Sequence, residues 1–212
     1  MTLTPLIFPF RLPLIGLCLL VVSGCTLLPA PSSDPTRYYV LSGASLDQTR
    51  PTKAEHARVI GLKRIKIRPY LNGKDLVVRE AGNEITYHSF SRWAEPLATS
   101  IGRVLADRLE ASANVARVYA QPFPFEVARD YDLAVSVVRC EGERRADGRA
   151  VPSLVAVIEL TEAKAGGAVV HRKTFIAPAQ SWDGKDFGAL AAALSEGVAA
   201  LGVELTQLIP AP

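Results

Sequence analysis

The chain has 212 residues, 49% of them hydrophobic and 21% charged, a globular composition that excludes disorder along its whole length. Its 24 Lys and Arg against 21 Asp and Glu leave a net charge of +3, so charge makes no case for nucleic acid. An aromatic share of 7% is too low for base-stacking platforms. A length near 200 suits one domain, or at most two small ones.

Residues 1–24 contain no acid and one base, Arg11, and the stretch from Leu12 to Val22 is apolar apart from Gly16. That run is too short for a membrane span, which needs about 20 apolar residues, and fits the hydrophobic region of a secretory signal. It ends in Val22-Ser23-Gly24-Cys25, which resembles a bacterial lipobox: the Cys25 thiol accepts a diacylglyceryl group, and small residues before it fit the signal peptidase cleft. The expectation is that 1–24 are removed and Cys25 becomes an acylated first residue, held in the membrane by about 0.8 kcal/mol per buried methylene. Thr26 in place of an Asp implies sorting to the outer membrane, facing the periplasm. Of three cysteines, Cys18 leaves with the signal and Cys25 carries lipid, so only Cys140 remains and no intrachain disulfide can form. Cys140 lies in an alternating apolar run and reads as a packed strand residue rather than a nucleophile. Residues 26–36, with three Pro and two Ser, form a stiff tether of roughly 35 Å at about 3.1 Å per residue. Residues 37–212 are expected to form a single globular domain.

That domain opens with a strand at Arg37-Tyr38-Tyr39-Val40-Leu41. From Arg58 to Arg68 the apolar residues Val59, Ile65 and Ile67 share one parity, and Lys66 and Arg68 the other, predicting a strand with a basic face. Residues 76–79 and 84–88 flank Ala81-Gly82-Asn83 as a hairpin. The period then changes. Trp93, Leu97, Ile101, Val104, Leu105 and Leu109 recur every three or four residues, predicting an amphipathic helix over about 92–111 with Ser91 as N-cap and Pro96 in its first turn. A short strand at 116–120 follows. Strands over 131–140, 153–161 and 169–176, joined by a charged loop from Glu141 to Arg149 and by Lys164-Ala165-Gly166-Gly167, form an antiparallel meander. A last helix over about 187–209 carries Leu190, Leu194, Val198, Leu201, Leu205 and Leu208 on one stripe. Its three glycines cost about 1 kcal/mol each, offset if they let it pack closely. Asp183 and Asp186 before it suit turn and N-cap duty. The fold class is α+β, an antiparallel or mixed sheet with both amphipathic helices on one face and the other face or an edge left for a partner.

Four ordered segments resemble the auxiliary lipoproteins of MCE-type (mammalian cell entry) transport systems, the PqiC/YmbA family. They are Arg37-Tyr38-Tyr39-Val40-Leu41; Ile85 to Leu97, in which Phe90-Ser91-Arg92-Trp93-Ala94-Glu95-Pro96-Leu97 is the most specific stretch; Asp130-Tyr131-Asp132-Leu133; and Asp186-Phe187-x-Ala189-Leu190 opening the last helix. The resemblance implies a non-enzymatic outer-membrane lipoprotein that faces the periplasm and serves an MCE-domain lipid transport protein. It also implies a fold like the small α/β domain of the Tol-system propeller protein TolB.

Two groups stand out as partner-interface candidates. Arg92, Trp93 and Glu95 could anchor a protein interface, since Trp and Arg are enriched there; equally, Trp93 could pack under the sheet while Glu95 favours the helix N-terminus. The strand bases Lys66 and Arg68, with Lys63 and Arg64, could meet an acidic partner or anionic headgroups, or form a solvated face. No catalytic set, metal site or cofactor site is read: His56, His88 and His171 lack close ligand spacing, and no phosphate-cradling Gly-rich loop is present. Three function classes follow: a docking protein for a lipid conduit, with a homo-oligomeric ring as the matching collar; an assembly factor for an outer-membrane barrel or lipopolysaccharide machine; and a hydrolase, for which a nucleophile is wanting.

Overall fold

The computed structural model describes residues 33–43, 52–164 and 167–212. The signal segment, Cys25 and most of the tether lie outside the described residues. Thr36–Pro212 forms one compact unit of nine strands and two helices. The elements are β1 (Arg37–Tyr39), β2 (Arg58–Leu62), β3 (Lys66–Ile67), β4 (Asp75–Arg79), β5 (Ile85–Trp93), α1 (Leu97–Glu110), β6 (Val115–Ala120), β7 (Tyr131–Arg144), β8 (Ala150–Glu162), β9 (Val169–Ile176) and α2 (Phe187–Leu208).

All nine strands form one mixed sheet. The β7–β8–β9 meander and the β4–β5 hairpin are antiparallel, whereas β1–β5, β2–β6 and the contacts of β2, β3 and β4 with β7 are parallel. β8 pairs with β7 along its whole length. β2, β3 and β4 therefore share the other edge of β7 in succession, at 131–133, 136–137 and 142–143. The sheet thus forks: β2–β6 leaves from the start of β7, and β4–β5–β1 from its end.

The two helices cover one face. Leu97, Ile101, Val104, Leu105 and Leu109 of α1 are buried, as are Leu190, Leu194, Val198, Leu201 and Leu205 of α2. They pack on Leu133, Val135, Val137, Ala156, Ile158 and Leu160 of the central strands. Close packing explains one costly helical glycine: a Cβ on Gly202 would lie 2.8 Å from Arg108 Cγ of α1. Asp186 caps α2, its carboxylate accepting from the Gly188 and Ala189 N–H groups, as the sequence suggests.

Three expectations are corrected. The first helix starts at Leu97, not near 92, and Ser91 is not its N-cap, because β5 runs on through Trp93 in register with β1. Pro96 stands at the cap without a side-chain bond. The reason was in the sequence: a residue before proline avoids the α region, so Glu95 could not be helical. Second, the basic strand is broken into β2 and β3 with a gap over 63–65, although Ile65 and Ile67 still pack on the core while Lys66 and Arg68 point out. Third, Glu141 to Arg144 are not loop. β7 continues through them, after a bulge between Val137 and Arg139 that leaves Val138 unpaired. A bulge shifts parity by one, so Cys140 joins the core face with Leu154 across from it.

Candidate functional site

The two interface candidates fare differently. Trp93 is 4% exposed and sits in the core, and its backbone N–H donates to the Lys74 carbonyl at 2.6 Å. Glu95 precedes α1, and its Oε1 accepts from Ser100 Oγ and Arg103 Nη2, both at 2.7 Å. These bonds, Arg103 first, hold its carboxyl below the usual range. Arg92 points to the other face and pairs with Asp75 at 3.0 Å, its register neighbour on β4. The Arg92-Trp93-Glu95 motif is therefore a corner. One residue fills the core, one latches the helix start, and one ties β5 to β4.

Lys66 and Arg68 are exposed, on the face away from the helices, with Lys66 across from Ser136 of β7. Neither they nor Lys63 and Arg64 have a side-chain partner among the described residues. A cleft of about 580 Å³ lies on the helix side of this segment, between it and α1, with Leu62, Ile65, Ala98, Gly102 and Ala106 as apolar lining and Lys63, Arg64 and Arg103 as basic lining. Lys66 and Arg68 are not part of it. Unpaired basic side chains on an open face suit an acidic partner.

A buried polar cluster that no sequence pattern announces lies on the face away from the helices. Glu141 is 1% exposed; Arg79 Nε donates to its Oε1 at 2.7 Å, and Arg79 Nη2 donates to the Tyr70 hydroxyl at 3.1 Å. Tyr70 in turn donates to the Val138 carbonyl at 3.2 Å, at the residue that the bulge leaves out of the β7–β8 ladder. Burial, with Glu141 adding to it, pushes the phenol up to about 12. The only signal available was the charge density of 141–145, which reads as loop.

Cys140 is buried, and burial followed by the neighbouring Glu141 pushes its thiol up to about 12, unlike a reactive cysteine. Among the described residues no group of three or more His, Cys, Asp or Glu could hold a metal. His88 stacks near Phe187 at 4.3 Å between ring centroids; burial, then the Arg144 charge, lowers its pKa.

No curated protein matches the chain by sequence. Among solved structures, a DUF330 protein from Xanthomonas campestris superposes with a TM-score of 0.65 at 19% identity, over 80% of this chain and 92% of that one. An uncharacterised protein gives a TM-score of 0.59 at 19% identity, over 82% and 99%. At such identities these likenesses speak to fold alone. The family model for the ABC-type transport auxiliary lipoprotein component matches residues 39–206, which takes in every element described here but for the two outer residues of β1 and the end of α2, and the chain belongs to that family.

Proposed function

We propose that this protein is a non-enzymatic lipoprotein, anchored in the outer membrane through acyl chains on Cys25 and facing the periplasm, that docks an MCE-type intermembrane phospholipid transport system. Membership of the transport-auxiliary family supports the transport role. The observation that carries the docking role is the strip Lys63, Arg64, Lys66 and Arg68. Unpaired cations contribute little to folding, yet they steer and orient an acidic partner. A homo-oligomeric ring would offer a symmetric MCE assembly a matching collar.

The test is photo-crosslinking in cells from probes placed at Lys66 and at Arg68. An MCE-domain protein among the adducts, lost in the K66E/R68E variant, is the expected result. An outer-membrane barrel protein as the sole adduct would overturn it and favour an assembly factor. A purified lipoprotein that stays monomeric at high concentration would remove the ring.

A further inference from the structure

Seven large hydrophobic residues are exposed among the described residues, and four of them, Tyr38, Val40, Tyr87 and Phe90, lie on or beside β1 and β5. Tyr38 stands across from Arg92, and both alternate with Tyr39 and Trp93, which turn to the core. Tyr87 stands across from Val77 and next to His88, which turns to Phe187 of α2, so Tyr87 also faces away from the helices. Between His88 and Arg92 the register with β4 shifts, which resets the parity of β5, and the exposed Phe90 lies in that stretch. Val40 is exposed just past the end of β1. Phe90 is 61% exposed and Tyr38 60%. Lys74 flanks the group, exposed and without a side-chain partner among the described residues, and Arg92 lies within it, paired with Asp75. β1 is an edge strand, so nothing in the sheet lies beyond it.

We infer that this aromatic patch rests on the phospholipid surface of the membrane that holds the anchor, forming a second, peripheral contact. The inference depends on Cys25 being acylated, as proposed above. Three observations choose lipid over other occupants. The patch lies at the root of the tether: eleven residues, 26–36, separate Cys25 from β1, with a reach of roughly 35 Å. A domain of this size is about 40 Å across, so β1 is the edge whose distance from the anchor the tether alone bounds, while β9 can lie farther by the width of the domain. The composition also fits the bilayer interface, where Tyr and other aromatic rings settle at headgroup level and Arg and Lys meet phosphates. Finally, a tethered patch experiences an effective lipid concentration in the millimolar range or above, so four side chains suffice where they could not hold a free protein. The consequence is orientational. The contact limits tumbling about the tether and presents the rest of the sheet to a partner in a fixed attitude.

The experiment uses the full-length lipoprotein, purified after export, with intact mass giving the state of Cys25. An environment-sensitive nitrobenzoxadiazole dye is attached through F90C, and in a second variant through I176C at the far edge. Cys140 is buried and Cys25 is acylated, so only the introduced thiol reacts. In vesicles of phosphatidylethanolamine and phosphatidylglycerol, the dye at F90C is expected to shift to the blue and be quenched by spin-labelled lipid, while that at I176C stays water-like. Adding Y38S to F90C should weaken the shift. Water-like emission at both sites with acyl chains present overturns the inference. A blue shift at F90C that follows protein concentration in detergent without vesicles also overturns it, assigning the patch to a second copy. An unmodified Cys25 overturns the anchoring proposal itself, and this inference with it.

Discussion

On the helix-covered face of the sheet, Leu133, Val135, Val137, Ala156, Ile158 and Leu160 meet the apolar stripes of two helices, and burial is near complete. The opposite face carries no α-helix, only the short 69–71 turn whose Tyr70 lies against Arg79 and Val138, and it carries charge: Arg92 with Asp75, Arg79 with Glu141, and the unpaired Lys66 and Arg68. One side is held by area removed from water, which is non-directional and tolerant. The other is held by a few directional bonds, each of which matters because its partners have no substitute. The two sides should therefore answer differently to substitution.

The largest effect belongs to the covered side. Trp93→Ala should cost about 3–5 kcal/mol in chemical denaturation. A loss below about 1 kcal/mol would show that Trp93 serves a surface after all. Next comes the buried pair on the open side. Glu141→Leu or Arg79→Met alone strands a charge and should cost about 3 kcal/mol, while the double variant recovers most of that. Additive losses would mean that the two side chains act independently and would break the contrast between directional and tolerant faces.

Asp186→Ala removes the cap of the helix that covers the sheet and should cost about 1 kcal/mol, with loss of helical signal confined to the start of α2. The smallest effect concerns pH. His88 has its pKa lowered by burial and then by Arg144, with Glu80 opposing. The unfolded chain therefore takes up a proton first as pH falls below about 6.5. The stability that neutral His88 contributes is present above that value and is lost as pH falls toward the folded-state pKa. Denaturation midpoints between pH 7 and pH 5 should drop more for the parent than for His88→Gln. Equal slopes would remove His88 from the account.

Much of this architecture is legible in the chain because it rests on short-range periodicity. Spacings of three and four in 97–109 and 190–208, alternation in 131–137 and 153–161, and the Asp186 cap all depend on neighbours within a few residues, and the structure keeps them. The early start assigned to the first helix came from counting Trp93 into its stripe, although Pro96 already forbade it. What the tertiary structure alone decided is non-local. The bulge at Val138 changes which face Cys140 and Glu141 occupy, and Glu141 becomes buried only because Arg79, 62 residues earlier, reaches its carboxylate. The parallel pairing of β1 with β5 turns the Arg92-Trp93 dipeptide so that one residue enters the core and the other leaves it. A one-residue shift in a strand reverses every side chain after it, and no local pattern records which strand will lie alongside. Composition and spacing thus determined the elements and their apolar stripes, while strand pairing determined which of the charged and aromatic residues enter the core and which face solvent.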